Sequence, residues 1–393
     1  MSERNELESA RISSKVELRY QTKLENHMPC VPISHLYRSL HTYLMQQIPD
    51  DCDTRLANLI YLMMGIFQAK SVQLPLVART TPIRADKWSI VKRFDRFLKN
   101  PVVGVRDWYR PFAEPVLRSA ASGGSVHLII DATKVAFGFR LLMVSVAYRR
   151  RSLPIAWTWL RGARGHSSTA TQVKLLAYVA TLLPPKARVT LVGDSEFGHC
   201  LVLENVRFWG WDYALRQAGD NLVMRRGTAC WQRIDQIPLT KGHPLWFESV
   251  VLTKASPYPT HLVLFWQAGE DKPWFLATNL TSAQATLLLY GRRMWIEEMF
   301  GDMKGHGFDL ETSHLRHFLR LSRLTLAVCL LYLWLVALAE YVVTHKHTRQ
   351  IDRANRQDLS VFRLGLDFLE RRLSLDDPIP RVFVPNFCLV SGG

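Results

Sequence analysis

Acidic residues are what this 393-residue chain has too few of: 34 Asp and Glu stand against 50 Lys and Arg, leaving a formal charge of +16 and a pI near 9.8. A cation excess of this size favours an extended polyanion as partner, nucleic acid first and an anionic membrane surface second. Cysteine is sparse as well. Cys30, Cys52, Cys200, Cys230, Cys329 and Cys388 form no C-x-x-C pair, so neither a zinc ribbon nor a disulfide framework is suggested, and a reducing cytoplasm fits. The first twenty residues are polar and lack the apolar stretch of a secretory signal, so export is not expected. There is no internal repeat and no long low-complexity tract. What is present is a globular balance, 48% apolar and 11% aromatic against 21% charged, in a chain long enough for two or three domains.

One segment imitates a membrane span. Leu324 to Val343 is almost uninterruptedly apolar and reaches the roughly 20 residues that a bilayer core requires. Glu340 breaks its far end and both flanks are basic, so a helix buried in a large domain is the expectation, with no membrane partner.

Changes of periodicity divide the chain at residues 1–118, 119–218, 219–274, 275–343 and 344–393. The first region predicts helices at His35 to Gln47, Thr54 to Phe67, Ser71 to Val77 and Ala85 to Leu98. In the last of these Trp88, Val91, Phe94 and Leu98 recur at helical spacing among the cations Lys87, Lys92, Arg93, Arg96 and Lys99. With Pro82 just before it, this reads as a small helical DNA-binding unit of helix-turn-helix-like kind; the plainer alternative is a solvated basic face.

After residue 124 the rhythm becomes strand-like. Val126 to Ile130 ends on Asp131, Phe139 to Tyr148 and Leu153 to Leu160 flank the basic turn Arg149-Arg150-Arg151, and a helix over Thr169 to Leu183 stops at Pro184-Pro185. Arg188 to Gly193 then ends on Asp194, followed by a helix from Gly198 to Trp209 and a strand from Asp212 to Arg216. Three strands, helix, strand, helix, strand is the order of an α/β, ribonuclease-H-like mixed sheet with carboxylates at the tips of its first and fourth strands. Residues 219–274, rich in Trp, Pro and β-branched residues, read as a strand-rich insertion. A strand at Phe275 to Asn279 follows, then a long helix capped by Thr281 or Ser282 and running to about Met303. The apolar helix, the basic segment His345 to Gln357, an amphipathic helix near Leu359 to Leu373 and a loose Pro-rich tail from Asp376 complete the chain.

The long helix holds the most specific signal. Tyr290, Arg293, Glu297 and Lys304 fall, on an ideal helix, within an arc of roughly 60°. A phenol, a guanidinium, a carboxylate and an ammonium in line suit a nucleic-acid strand: the cations hold phosphates and the carboxylate can hold a metal. Together with Asp131 in IIDATK and Asp194 in LVGDSEFG, this Y-(2)-R-(3)-E-(6)-K spacing resembles the DDE transposases of bacterial insertion sequences, in the group named for its YREK signature. The likeness covers roughly residues 70–340.

That resemblance implies a cytoplasmic, nucleoid-associated DNA transposase with Asp131, Asp194 and Glu297 as catalytic carboxylates. Two Mg²⁺ ions, for which Mn²⁺ can substitute, would be held by these three; hard cations want oxygen ligands, so the residue types agree. Glu298 is the alternative to Glu297. The resemblance further implies that Arg293 and Lys304 contact transposon-end phosphates and that Tyr290 bonds the phosphate near the scissile bond. Trp274 would stack on a flipped base in a hairpin step, or else anchor the insertion. No second base-handling residue is recognisable. The partners implied are double-stranded DNA, as transposon ends and as target, and a second copy of the chain in a homodimeric synaptic complex, with Leu359 to Leu373 as a candidate contact. A DNA-binding regulator with an unused site is the rival from another class. Of the lesser signals, Arg161, Arg164 and His166 can bind phosphate, His345 and His347 read as basic surface, and Ser195 has no Ser-His-Asp context.

Overall fold

The computed structural model describes residues 33–49, 51–162, 167–353 and 358–388. Arg164 and His166 lie outside the described residues, as do Cys30 and part of the basic segment before Gln357.

Five helices open the described chain: α1 (Ile33–Gln47), α2 (Asp53–Ala69), α3 (Leu74–Thr80), α4 (Lys87–Lys99) and α5 (Val105–Ser122). The Asp86 side chain caps α4 by accepting from the Ser89 N–H at 3.0 Å. The buried stripe of α4 is Ile90, Phe94, Phe97 and Leu98. Trp88, expected on that stripe, is instead 60% exposed, because Ile90 and Phe97 fit the same turn spacing one step around the helix. Helix α5 went unrecognised in the sequence because Pro111 and Pro115 lie inside it.

Next come β1 (Val126–Val135), β2 (Phe139–Tyr148), β3 (Arg151–Arg161), α6 (Thr169–Ala180), β4 (Val189–Gly193), a 3₁₀ turn at Ser195–Phe197, α7 (Cys200–Phe208) and β5 (Asp212–Arg216). β1, β2 and β3 pair antiparallel, while β4 lies parallel to β1 and to β5. The strands β6 (Leu222–Met224), β7 (Trp231–Arg233), β8 (Leu245–Leu252), β9 (Tyr258–Phe265) and β10 (Trp274–Thr278) join them in one ten-stranded mixed sheet, ordered β3-β2-β1-β4-β5-β10-β9-β8-β6-β7. The strand-rich stretch is therefore continuous with the sheet, through β10 pairing both β5 and β9. β2 is buried at nine of its ten positions, as a strand covered on both faces must be.

Beyond the sheet lie α8 (Ala283–Tyr290), a 3₁₀ turn at Gly291–Arg293, α9 (Met294–Met303), α10 (Phe318–Thr344) and α11 (Val361–Ser374). Ser282 caps α8, accepting from Ala285 N–H at 3.2 Å. The expected unbroken helix to Met303 is thus interrupted, and Lys304 follows its end in a non-helical conformation. The apolar helix α10, with a mean hydropathy of 2.2 over its most apolar window, is buried from Leu324 through Ala339. It packs against β3, α2, α4, α5 and α11.

One expectation for the C-terminus, the loose tail, is corrected. The apolar face of α11 packs within this chain, where Phe362, Leu366 and Leu369 are buried. Gly365 lets the two helices approach so closely that a Cβ there would stand 1.8 Å from the Leu335 carbonyl oxygen. The tail is not loose as far as it is described: Phe383 is buried and stacks on Tyr43 with ring centroids 4.4 Å apart.

Candidate active site

Strand pairing brings the two aspartates together. The parallel register of β1 and β4 ends at Ile130 opposite Gly193, so Asp131 and Asp194 are the next residues on adjacent strands, at a strand separation of about 4.8 Å. Asp131 is not at a strand tip, as expected, because β1 continues to Val135 in its pairing with β2. The chain diverges after Asp194 by entering the 3₁₀ turn, whose first N–H, on Ser195, donates to Asp194 Oδ1 at 2.7 Å.

Glu297 reaches the same place from α9, within the first turn. The bridge between them is Arg293, whose Nη1 lies 3.2 Å from Asp131 Oδ2 and Nη2 2.7 Å from Glu297 Oε1. Asp131 and Arg293 have side chains only 16% and 13% exposed, while Glu297 and Asp194 are 45% and 40% exposed. Burial pushes the Asp131 carboxyl up to about 7, with the Arg293 guanidinium pulling it down and the Glu297 and Asp194 charges pushing it further up. Arg293 is the cation that stands among these acids.

The alternative carboxylate is turned away. Glu298 pairs with Arg151 at 3.1 Å, and the same arginine donates to Asp302 Oδ2 at 2.7 Å. Asp302 is buried, and Tyr332 on α10 also donates to it, at 3.3 Å. Arg151, expected on a solvated turn, is thus a tether between the start of β3 and α9.

The four signature positions do not form one continuous face. The 3₁₀ turn winds three residues per turn rather than 3.6, which rotates Tyr290 relative to Glu297. Tyr290 is 2% exposed, its hydroxyl makes no hydrogen bond of good geometry, and burial pushes it up to about 12. Lys304 pairs with Glu311 at 2.8 Å. Trp274, the first residue of β10, is half-buried and meets Tyr290 edge-on at 5.0 Å, a contact that holds both rings.

Of the α4 cations, Lys92 and Arg96 are exposed. Arg93 bonds Asn58 and lies over the Tyr61 ring at 5.5 Å, so it belongs to the helical core's edge. Arg161 lies over Phe318 at 5.6 Å.

Sequence reasoning missed Arg216, at the end of β5. Its Nη1 is 3.8 Å from Asp194 Oδ1. Its place at the end of a strand next to β4 was the available signal. A cavity of about 750 Å³ opens beside Asp194, lined among others by Arg216, Gln217, Trp266, Lys272 and Phe275.

Three carboxylates from separate elements are hard oxygen donors, and the buried charge of Asp131 calls for a cation, so the residue types fit a divalent metal. Among the described residues no three acidic, His or Cys side chains are grouped closely enough to hold one, and Arg293 pairs with both Asp131 and Glu297.

Acids set across adjacent parallel strands, with Arg216 and Lys272 on the wall of the cavity beside Asp194, suit an enzyme that works on phosphodiesters. The family model described as "Transposase DDE domain" matches residues 122–334, and the chain belongs to that family of DNA transposases. No curated protein matches it. A piggyBac transposase synaptic complex with hairpin DNA, solved by cryo-EM, is 10% identical, with a TM-score of 0.40 over 87% of this chain and 78% of that one. A likeness of that size carries no argument about this site.

Proposed function

We propose that this transposase is of the YREK-signature group of bacterial insertion sequences, with Asp131, Asp194 and Glu297 as its catalytic carboxylates in a ribonuclease-H-like core. The observation that carries the reading is that Arg293 bridges Asp131 and Glu297 while Asp194 stands beside Asp131 on the adjacent strand β4. The sheet order β3-β2-β1-β4-β5 supports it.

The residues divide the work as follows. Asp131, Asp194 and Glu297 would hold divalent metal, two Mg²⁺ or Mn²⁺ ions, and when bound these supply charge to activate a nucleophile and steady a leaving oxygen. Arg293 must leave its carboxylates to serve that state. A DNA phosphate is a natural new partner, because guanidinium and phosphate match in bidentate geometry. Arg216 and Lys272, on the cavity wall next to Asp194, add positive charge along the strand's path. Lys304 extends it once freed from Glu311. Lys92 and Arg96 present cations from α4, where DNA outside the cleavage site would lie. Tyr290 and Trp274 form an aromatic pair beside the acids, and stacking on a displaced base during a hairpin step would require Trp274 to turn from Tyr290.

The reaction proposed is cleavage at the terminal inverted repeats and joining of the 3′-hydroxyl to target DNA, by a homodimer that brings two ends together. The test is incubation with a labelled terminal duplex and supercoiled plasmid in Mg²⁺. Labelled ends joined to plasmid are expected. Cleaved ends that never join would make the protein a nuclease, and binding without cleavage would make it a regulator. A hairpin product on the transposon end, resolved on a denaturing gel, tests that step separately.

A further inference from the structure

The second acid in the D-S-E-F sequence has no place in the chemistry above, yet it is among the most heavily bonded groups near the site. The Glu196 side chain is 15% exposed. Its Oε1 accepts from both the N–H and the hydroxyl of Ser167, at 2.6 and 2.5 Å. Its Oε2 accepts from Arg140 Nη1 at 3.2 Å, and that arginine, on β2, is 8% exposed. Its backbone carbonyl accepts from Gln172 Nε2 on α6 at 3.1 Å, while the same amide bonds Ser167 Oγ at 2.9 Å. Gln172 is 1% exposed.

These bonds tie the 3₁₀ turn that starts at Asp194 to two elements at once, β2 through Arg140 and the N-terminal end of α6 through Ser167 and Gln172. From the other side β5 presses on the turn. A Cβ on Gly198 would stand 2.3 Å from the Arg216 carbonyl oxygen, so only glycine allows that approach. Phe197 fills the interior beneath. Asp194 itself is 40% exposed, and its nearest guanidinium, on Arg216, stays 3.8 Å away. Its direction is therefore set by the turn, and the turn by Glu196.

We propose that Glu196 is a positioning residue for Asp194 and not a fourth metal-holding acid: with its carboxylate bound by Arg140 and Ser167 and its backbone carbonyl by Gln172, it fixes the turn that aims Asp194. The inference rests on the reading of Asp194 as a catalytic carboxylate. Its two oxygens are already satisfied by three donors, which leaves them poorly placed to hold a cation.

A double-mutant cycle on the full chain separates the alternatives. Mn²⁺ affinity is read by electron paramagnetic resonance on the protein bound to an uncleavable terminal duplex, and single-turnover cleavage is read on the cleavable one. Glu196→Gln and Arg140→Gln should each weaken Mn²⁺ binding and slow cleavage by about tenfold, with DNA affinity changed less than about threefold. Combining them should be no worse than either alone. Ser167→Ala, which removes a single hydroxyl, should give a smaller loss in the same direction and serves if the charge variants fail to fold. Additive losses, or an Mn²⁺ defect in Glu196→Gln that Arg140→Gln does not share, would make Glu196 a ligand and overturn the proposal. Unchanged Mn²⁺ binding and cleavage in all variants would also overturn it. Asp194→Asn is run alongside: if it cleaves like the wild type, the catalytic assignment has failed, whereas a dead Asp194→Asn with normal Glu196 variants sinks only the positioning role.

Discussion

Asp131 is held in two opposed settings, desolvated by the strands around it and drawn toward ionisation by Arg293. With its carboxyl pushed up to about 7, a proton occupies a ligand position over much of the neutral range. Cleavage should rise with pH through that region. A divalent ion competes with the proton for the same oxygens, so the pH midpoint should fall by about one unit for each tenfold rise in Mn²⁺. A midpoint that ignores the metal concentration would remove Asp131 from the metal-holding set. Glu297 and its neighbour give a sharper contrast. Glu297→Gln should lose cleavage by a factor of about 10³ or more, as expected when a transition-state interaction is removed, whereas Glu298→Gln should retain it within a few-fold, because Glu298 faces Arg151. Quench-flow or gel assays on one labelled duplex check both. The placement of the two aspartates on neighbouring strands was legible in the sequence, since each follows an apolar run, Val126 to Ile130 and Arg188 to Gly193. Arg293's hold on Asp131 was not, because an ideal helix says nothing of what lies across from it.

At the scale of elements, the tether from Arg151 to α9 decides where Glu297 sits. Asp302→Ala leaves the buried Tyr332 hydroxyl and Arg151 Nε without their acceptor while Glu298 still holds the guanidinium, so it should destabilise the fold by about 1–3 kcal/mol and lower the thermal midpoint accordingly. Wild-type stability in that variant would mean that the Arg151 contact is dispensable. The turn between β2 and β3 makes an opposite prediction. Arg149 and Arg150 both have positive φ, 43° and 60°, a conformation suited to Asn and Gly in a two-residue hairpin. Replacing them by Asn and Gly should stabilise the protein by roughly 1–2 kcal/mol, measurable by chemical denaturation. The strands β2, β4 and β5 and the cap of α8 were readable from short apolar runs and from Ser282. The break at Gly291–Arg293 was not, because Tyr290, Arg293 and Glu297 keep near-helical spacing through a 3₁₀ turn. Nor was the continuity of β6–β9 with the sheet, since β10 supplies the link only through long-range pairing.

For the molecule as a whole, the charge of +16 is the property that reaches farthest. Affinity for duplex DNA should fall steeply with salt, and Lys92→Glu or Arg96→Glu should each reduce the slope of log K against log salt by about one while leaving cleavage chemistry intact. Fluorescence anisotropy over a salt series reads both, and unchanged slopes would take α4 out of the DNA interface. The span-like helix α10 was correctly weighed against its flanking charges: it is the post around which the helices and β3 pack. The order of the tail was not legible, because the aromatic contacts of Phe383 come from residues far away in sequence. The measurement that bears most directly on the catalytic assignment is metal-dependent cutting of a labelled duplex carrying the element's own terminal repeat, comparing wild type with Asp194→Asn and Glu297→Gln. Nicking at the repeat boundary that requires Mg²⁺ or Mn²⁺ and vanishes in both variants is expected. Equal cutting by either variant would contradict the assignment of Asp131, Asp194 and Glu297 as the acids that carry the reaction.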